Sequence, residues 1–283
     1  MPALRNSWNL VKASLHVLGQ DKELIWFPIL SVLGVVVVGV GFVVPLFTAG
    51  WMEALQQGGS SGKTLGALLG FSLYLCIYFV ILFCNAALVG AALIRLRGGD
   101  PTVGDGLRIA ARHVGPIFAY ALLSATIGLL LQALSNAKRA KVVGHYAASI
   151  FGAAWGVASF LVVPILVSER VGVLDAVRRS VQLLKKTWGE QLVGHGGMGV
   201  FFKWVTFLCI MVCGLGMFVA VEMGRQNLLL LFAGLGVTWV IGVALLSSAL
   251  RGIYTAALYR FATEGQAGGL FDEDLVRHAF RSQ

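Results

Sequence analysis

The chain has 283 residues and a net charge of +9, with 58% hydrophobic and only 12% charged residues and a mean hydropathy of +0.83. That balance excludes a soluble globular domain and assigns the polypeptide to lipid. Residues outside the apolar runs are too few to build a separate domain with its own core.

The N-terminal stretch through Gln20 is charged and amphipathic, and six apolar runs follow it: Leu24 to Phe47, Leu65 to Ile94, Ile117 to Leu134, Tyr146 to Val167, Leu192 to Val221 and Leu228 to Leu250. Each meets or approaches the roughly 20 residues a helix needs to cross a hydrocarbon core. The first run is far longer than a secretory leader's, which predicts a retained span. Gly62, Gly66 and Gly70 enter the second run, and Gly152 with Gly156 lies in the fourth, at a spacing that predicts close helix contact. Among Pro45, Pro116 and Pro164, only Pro164 is deep enough in a span to bend it. After the sixth run, a Gly-Gln-Ala-Gly-Gly stretch from Gly265 leads to a short amphipathic turn with Phe271, Leu275 and Phe280.

Six spans put both termini on one side, and the basic residues choose it. Fifteen of the 22 Lys and Arg lie in the set of connections that includes the termini: Arg5, Lys12, Lys22, Arg95, Arg97, Arg108, Arg112, Arg170, Arg178, Arg179, Lys185, Lys186, Arg260, Arg277 and Arg281. Five lie in the other set, where Lys138, Arg139 and Lys141 form an outer basic cluster that reads either as a tolerated short basic loop or as a contact for lipid phosphates or an acidic partner. Both termini are therefore expected in the cytoplasm. Topogenesis and anionic headgroups account for the net charge, at about 1 kcal/mol per surface base, without nucleic acid.

Three basic connections share a pattern: Asn9-Leu10-Val11-Lys12-Ala13-Ser14, Asp105-Gly106-Leu107-Arg108-Ile109-Ala110 and Asp175-Ala176-Val177-Arg178-Arg179-Ser180. Each starts with a helix-capping residue type and places a base three residues later. Apolar residues recur at helical spacing: Leu4, Trp8, Val11, Leu15 and Leu18 in the first; Val103, Leu107, Ala111 and Val114 in the second; Val173, Val177, Val181, Leu184 and Trp188 in the third. The pattern predicts three helices in the plane of the cytoplasmic interface, with Arg108, Arg112, Arg178, Arg179, Lys185 and Lys186 facing headgroups. Ala91-Ala92-Leu93-Ile94-Arg95-Leu96 and Ala256-Ala257-Leu258-Tyr259-Arg260-Phe261 also match. The expectation is an all-α polytopic membrane protein: one domain over residues 1–262, in repeat units of about 1–99, 100–171 and 172–262, and a cytoplasmic tail at 263–283.

Candidates for chemistry are sparse. Lys203 either sits near mid-membrane, needing a partner or a cavity, or snorkels to the interface beside Trp204. Arg251 reads as an anchor at the end of a span, and Asn85 as hydrogen-bonding glue between helices. Every carboxylate lies in a connection, a span end or the tail, which argues against proton-coupled transport or hydrolysis within the bilayer. The histidines His16, His113, His145, His195 and His278 are dispersed, so no metal or cofactor is expected. Cys76, Cys84, Cys209 and Cys213 all fall in spans and read as packing residues, although Cys209 and Cys213 share a helix face.

Ser7-Trp8-Asn9-Leu10 through Gln20-Asp21-Lys22-Glu23-Leu24, the loop from Gly99 to Leu107, Val163-Pro164 through Ser180, and Trp188-Gly189-Glu190 resemble an uncharacterised family of six-span bacterial membrane proteins. By architecture alone, the chain is also similar to the membrane domain attached to some glycerophosphodiester phosphodiesterases. The resemblance implies a bacterial inner membrane and lipid-related work, and supplies no active residues. The functional expectation is a non-catalytic module that binds anionic lipids, or a subunit of an envelope complex with a protein partner or further copies of itself. The alternative is a transporter or channel with a polar path near Lys203.

Overall fold

The computed structural model describes residues 2–48, 59–135, 141–188 and 197–266, and the backbone alone at a few segment ends and at Lys203. In chain order the α-helices are α1 (Pro2–Gln20), α2 (Trp26–Thr48), α3 (Gly59–Leu96), α4 (Val103–Arg112), α5 (Val114–Ser135), α6 (Lys141–Ala158), α7 (Val162–Ser168), α8 (Val173–Trp188), α9 (Gly197–Glu222) and α10 (Gln226–Glu264). A 3-10 turn, Lys22–Ile25, joins α1 to α2. Among the described residues, six helical stretches are long and apolar enough to cross a membrane: Lys22–Thr48, Gly59–Leu96, Val114–Ser135, Gly144–Ser168, Trp204–Glu222 and Gln226–Glu264. The expectation of a multi-pass, all-helical membrane protein holds in that form.

Two compact units interleave along the sequence. One comprises Met1–Pro28, Ala92–Asp100 and Leu183–Gln283; the other comprises Ile29–Ala91 and Pro101–Gln182. In the first, α9 and α10 form a hairpin through Gly224, whose φ of +61° is natural for glycine, and α1 packs on both helices. A Cβ at Gly216 would lie 2.6 Å from the Phe232 ring, so the hairpin closes tightly there. In the second, Gly34 of α2 meets Val80 of α3, and Phe79 of α3 stacks edge-on against Phe118 of α5 with ring centroids 5.6 Å apart.

The close approaches therefore differ from the expected ones. A Cβ at Gly70 or Gly156 would meet open space, and at Gly152 only an ordinary contact. Glycine spacing marks where helices could meet; which glycine they use depends on the bulk of the opposing side chain, here Val80 or Phe232.

Helices α3 and α10 are far longer than a hydrocarbon crossing. At 1.5 Å per residue, the 39 residues of α10 reach about 58 Å, against about 30 Å of bilayer core. Buried residues gather at their C-terminal ends, Ala86 to Leu93 in α3 and Ala249 to Tyr259 in α10, the two stretches that contain the matching Ala-Ala-Leu motifs. The ends are then tied by charge. Arg260 donates to the Leu96 carbonyl and pairs with Glu264 at 2.9 Å, while Arg97 reaches the same carboxylate at 2.7 Å. Gly265, with φ +73°, ends α10 by donating its N–H to the Phe261 carbonyl.

Candidate functional site

Short helices α4 and α8 carry the exposed basic residues. Thr102 caps α4: its hydroxyl accepts from the Asp105 N–H at 3.2 Å, and the Asp105 carboxylate accepts from the Thr102 N–H at 3.1 Å. The Thr102 hydroxyl also donates to the Asp105 carboxylate at 2.7 Å, and this bond, then that from the Thr102 N–H, with Arg108 adding a little, holds the Asp105 carboxyl below the usual carboxylate range. The capping residues expected from the shared pattern are thus displaced. Asp105 is the third residue of its helix, Asp175 the third of α8, and Asn9 lies inside α1. The extended backbone of Thr102 lets its hydroxyl reach the free N–H groups first.

One side of these helices is buried in protein. Gly106 and Ala110 are enclosed in α4; Ala176, Ser180, Leu183, Leu184 and Trp188 in α8; Val11, Ser14, Val17 and Leu18 in α1. The apolar stripe predicted for α4 does not coincide with its buried face, since Ala111 and Val114 are exposed and Leu107 is only half-buried. Small residues win because the backbone comes so close: a Cβ at Gly90 of α3 would lie 2.9 Å from Ile109 Cγ2. At the pattern's sixth position, Ser14, Ala110 and Ser180 are each 0% exposed.

On the other side, Arg108, Arg112, Arg178, Lys185 and Lys186 are exposed, and Arg179 is open along about half of its side chain. Their acidic neighbours are weak: Asp105 sits 3.7 Å from Arg108, Asp175 3.4 Å from Arg178 and Glu169 3.6 Å from Arg179. Solvated pairs of this kind contribute only about 0.2–1 kcal/mol, so a phosphate can displace them.

Between α6 and α7 the fourth span is broken. Pro164, the third residue of α7, has no N–H for the Phe160 carbonyl, and its ring obstructs a continuous helix. Pro164 was expected to bend the span; the structure interrupts it from Ser159 to Leu161. The Leu161 N–H is taken up by the Ser180 hydroxyl of α8 at 3.2 Å, in a buried setting. No rule of composition singled out Ser180, although its position in the repeated pattern was a usable signal.

Asp21 is a further residue that sequence reasoning passed over. It is 5% exposed, one carboxylate oxygen accepts from the Glu23 N–H at 3.2 Å, and the other has no hydrogen-bond partner. Burial pushes its carboxyl above the usual range, outweighing the Glu23 N–H and the nearby Arg95, while Glu23 and Asp100 push the same way as burial. Arg95 itself is shared among Gln20, the Gly99 carbonyl and Asp100. Because folding raises this pKa, Asp21 favours the folded state at low pH and opposes it as pH rises above the ordinary value of 3.8. Asp21→Asn keeps the acceptor for Glu23 and removes the charge. It is expected to unfold at a higher temperature than wild type at pH 7, with the gap closing toward pH 4 in thermal scans. A variant less stable than wild type at pH 7 would mean that Arg95 outweighs burial.

The residues expected inside the membrane lie on three helices, α3, α9 and α10. Asn85 is half-buried in α3 and Arg251 is exposed on α10; among the described residues neither side chain is hydrogen-bonded or ion-paired. Arg251 does not end its helix, which runs on to Glu264. Lys203 lies on α9 with its side chain outside the described residues, as are Lys138, Arg139 and the side chain of Lys141, His195, and the tail residues Phe271, Leu275 and Phe280. The sulfurs of Cys209 and Cys213 are 3.8 Å apart on α9. A groove of about 380 Å³ in the α2–α3 pair is lined by Gly41, Phe42, Pro45, Leu46, Gly66 and Leu69, among others, all of them uncharged.

Comparison with known proteins adds one finding. No curated protein and no solved structure matches the chain. A family model does match, over residues 64–269, from the beginning of the second span past the end of the sixth. A match over most of the chain settles membership: this membrane protein, with six candidate spans among its described residues, belongs to the family of unknown function DUF6159.

Proposed function

We propose that this is a non-catalytic membrane protein that holds anionic lipid headgroups on the basic faces of α4 and α8. The observation that carries the reading is the division of those two helices, with one side enclosed by protein and Arg108, Arg112, Arg178, Arg179, Lys185 and Lys186 exposed on the other. Such a division suits helices that present guanidinium and ammonium groups to phosphates, each adding about 1 kcal/mol at an anionic surface. The uncharged lining of the α2–α3 groove fits acyl chains better than ions. The distribution of Lys and Arg supports cytoplasmic termini, and the resemblance in the loop motifs supports a bacterial inner membrane. The shared burial of Ser14, Ala110 and Ser180 supports descent of the three units from one repeat.

The test is native mass spectrometry of the protein released from bilayers of phosphatidylglycerol and phosphatidylcholine mixed in equal parts. Phosphatidylglycerol should be retained in excess, and the excess should shrink as salt rises. Equal retention of the two lipids, or an excess indifferent to salt, overturns the reading.

A further inference from the structure

The last turns of α2 and the first turns of α3 belong to one compact unit and enclose a groove of about 380 Å³. Half-buried Phe42 and Leu46 wall it on α2, and half-buried Leu69 and Leu73 on α3. Gly41 and Gly70 leave it open, since a Cβ at either would meet nothing within 4 Å. That volume holds about a dozen groups of methylene size at roughly 30 Å³ each, most of one acyl chain. Its depth also matches one leaflet. Leu73 lies ten residues along α3 from Lys63, about 15 Å at 1.5 Å per residue, and half of a hydrocarbon core about 30 Å thick is the same length.

Lys63 stands at the mouth of the groove. It precedes Gly66 by three residues and Gly70 by seven, so the three share a helix face, and helical side chains lean toward the N-terminus, here toward the membrane surface. Its side chain is exposed, and no ion pair among the described residues includes it. Gly90, where Ile109 of α4 packs, lies twenty residues beyond Gly70, about 30 Å further along the helix. The groove and the basic face of α4 are therefore at opposite ends of α3.

We propose that this groove is a second lipid site, which takes one anionic phospholipid with an acyl chain between α2 and α3 and its phosphate on the Lys63 ammonium. Charge selects that occupant over a second copy of the chain. Two copies meeting across the groove in one membrane are related by a twofold axis along the membrane normal, which brings each Lys63 to the other at the same depth. The like charges oppose that pairing, whereas a phosphate neutralises the same ammonium. The site is separate from the headgroup contacts of α4 and α8, facing the other leaflet, and either can fail alone.

The full chain in nanodiscs tests this with phosphatidylglycerol carrying a diazirine midway along one acyl chain, and with phosphatidylcholine carrying the same group. After irradiation, peptide mapping should find phosphatidylglycerol adducts denser on Gly41–Leu46 and Gly66–Leu73 than on α10 around Leu230, Leu231 and Leu235, which are also exposed. Lys63→Gln should cut those adducts about fivefold, the share of one base at an anionic surface, and leave phosphatidylcholine adducts unchanged; Lys63→Arg should keep both. Gly70→Leu fills the groove and should remove adducts of both lipids there, with α10 labelled as before. Leucine is a better helix former than glycine and enters open space, so the fold should hold. The fourfold Gln variant at Arg108, Arg112, Arg178 and Arg179 should label the groove as wild type does.

Adducts spread evenly over α2, α3 and α10, or phosphatidylglycerol adducts indifferent to Lys63→Gln, overturn the proposal. An unlabelled groove whose Gly70→Leu variant turns a dimer into a monomer in native mass spectra overturns it in favour of a second copy. Loss of the groove label in the fourfold variant overturns Lys63 as the partner of the headgroup. Groove labelling that depends on Lys63, found together with equal retention of the two lipids by the whole protein, upholds this site and overturns the headgroup reading of α4 and α8 alone.

Discussion

Leu258→Ala is expected to lower the unfolding free energy by about 2–5 kcal/mol, whereas Leu230→Ala in the same helix lowers it by less than about 1 kcal/mol. The two leucines share an environment in sequence terms, but Leu258 is 0% exposed and Leu230 is 65% exposed. Along α10 the surroundings change from lipid to protein: Leu231, Leu235, Val237 and Trp239 are more than half exposed, and Ala249, Leu250, Ile253, Tyr254 and Ala256 to Tyr259 are enclosed. Truncating a lipid-facing leucine lets acyl chains fill the space, since they are as apolar as the side chain they replace. Truncating Leu258 leaves a cavity whose lining loses its contacts. Unfolding in mixed micelles of increasing SDS content would measure both. Equal losses would show that the end of α10 is bathed in lipid like its beginning.

The boundary between those two environments shows where sequence reading stops. The first span, expected over Leu24 to Phe47, is found within Lys22–Thr48, because an apolar run is a property of single residues and their transfer to oil. The sixth was expected to end at Leu250, before Arg251, yet the helix continues to Glu264. One charge interrupts hydropathy without interrupting a helix; the true stop is Gly265, which takes the left-handed conformation that closes the last turn. The fifth run was placed from Leu192; its described helix is Gly197–Glu222, and Leu192 to Gly196 lie outside the described residues.

The rest was hidden because it depends on pairs of residues far apart in the chain. Arg260 finds the Leu96 carbonyl 164 residues away, and Arg95 finds Gln20 across 75. Nothing local distinguishes these arginines from the topogenic bases around them. The buried sides of α4 and α8 are obscured for a related reason: a helix packed backbone to backbone selects Gly106, Ala110, Ala176 and Ser180, which hydropathy scores as indifferent. The exposed bases at 108, 112, 178 and 179 were legible, since a charged side chain that lacks a buried partner stays at a surface.

Replacing those four together, Arg108→Gln, Arg112→Gln, Arg178→Gln and Arg179→Gln, is expected to reduce preferential retention of phosphatidylglycerol by about a thousandfold. At about 1 kcal/mol for each base near an anionic surface the loss approaches 4 kcal/mol, and each 1.4 kcal/mol is a factor of ten. The fold should tolerate the change, because these side chains are exposed and their ion pairs are weak surface contacts. Arg260→Gln is the contrasting variant. Only 12% of the Arg260 side chain is exposed, and it is committed to Leu96 and Glu264, so its loss should lower stability and leave lipid preference unchanged. Competition between the two lipids, read by native mass spectrometry at matched salt, compares the variants. If the fourfold variant keeps the wild-type preference while Arg260→Gln loses it, the charge that recruits lipid lies at the joined ends of α3 and α10, and α4 and α8 are packing elements alone.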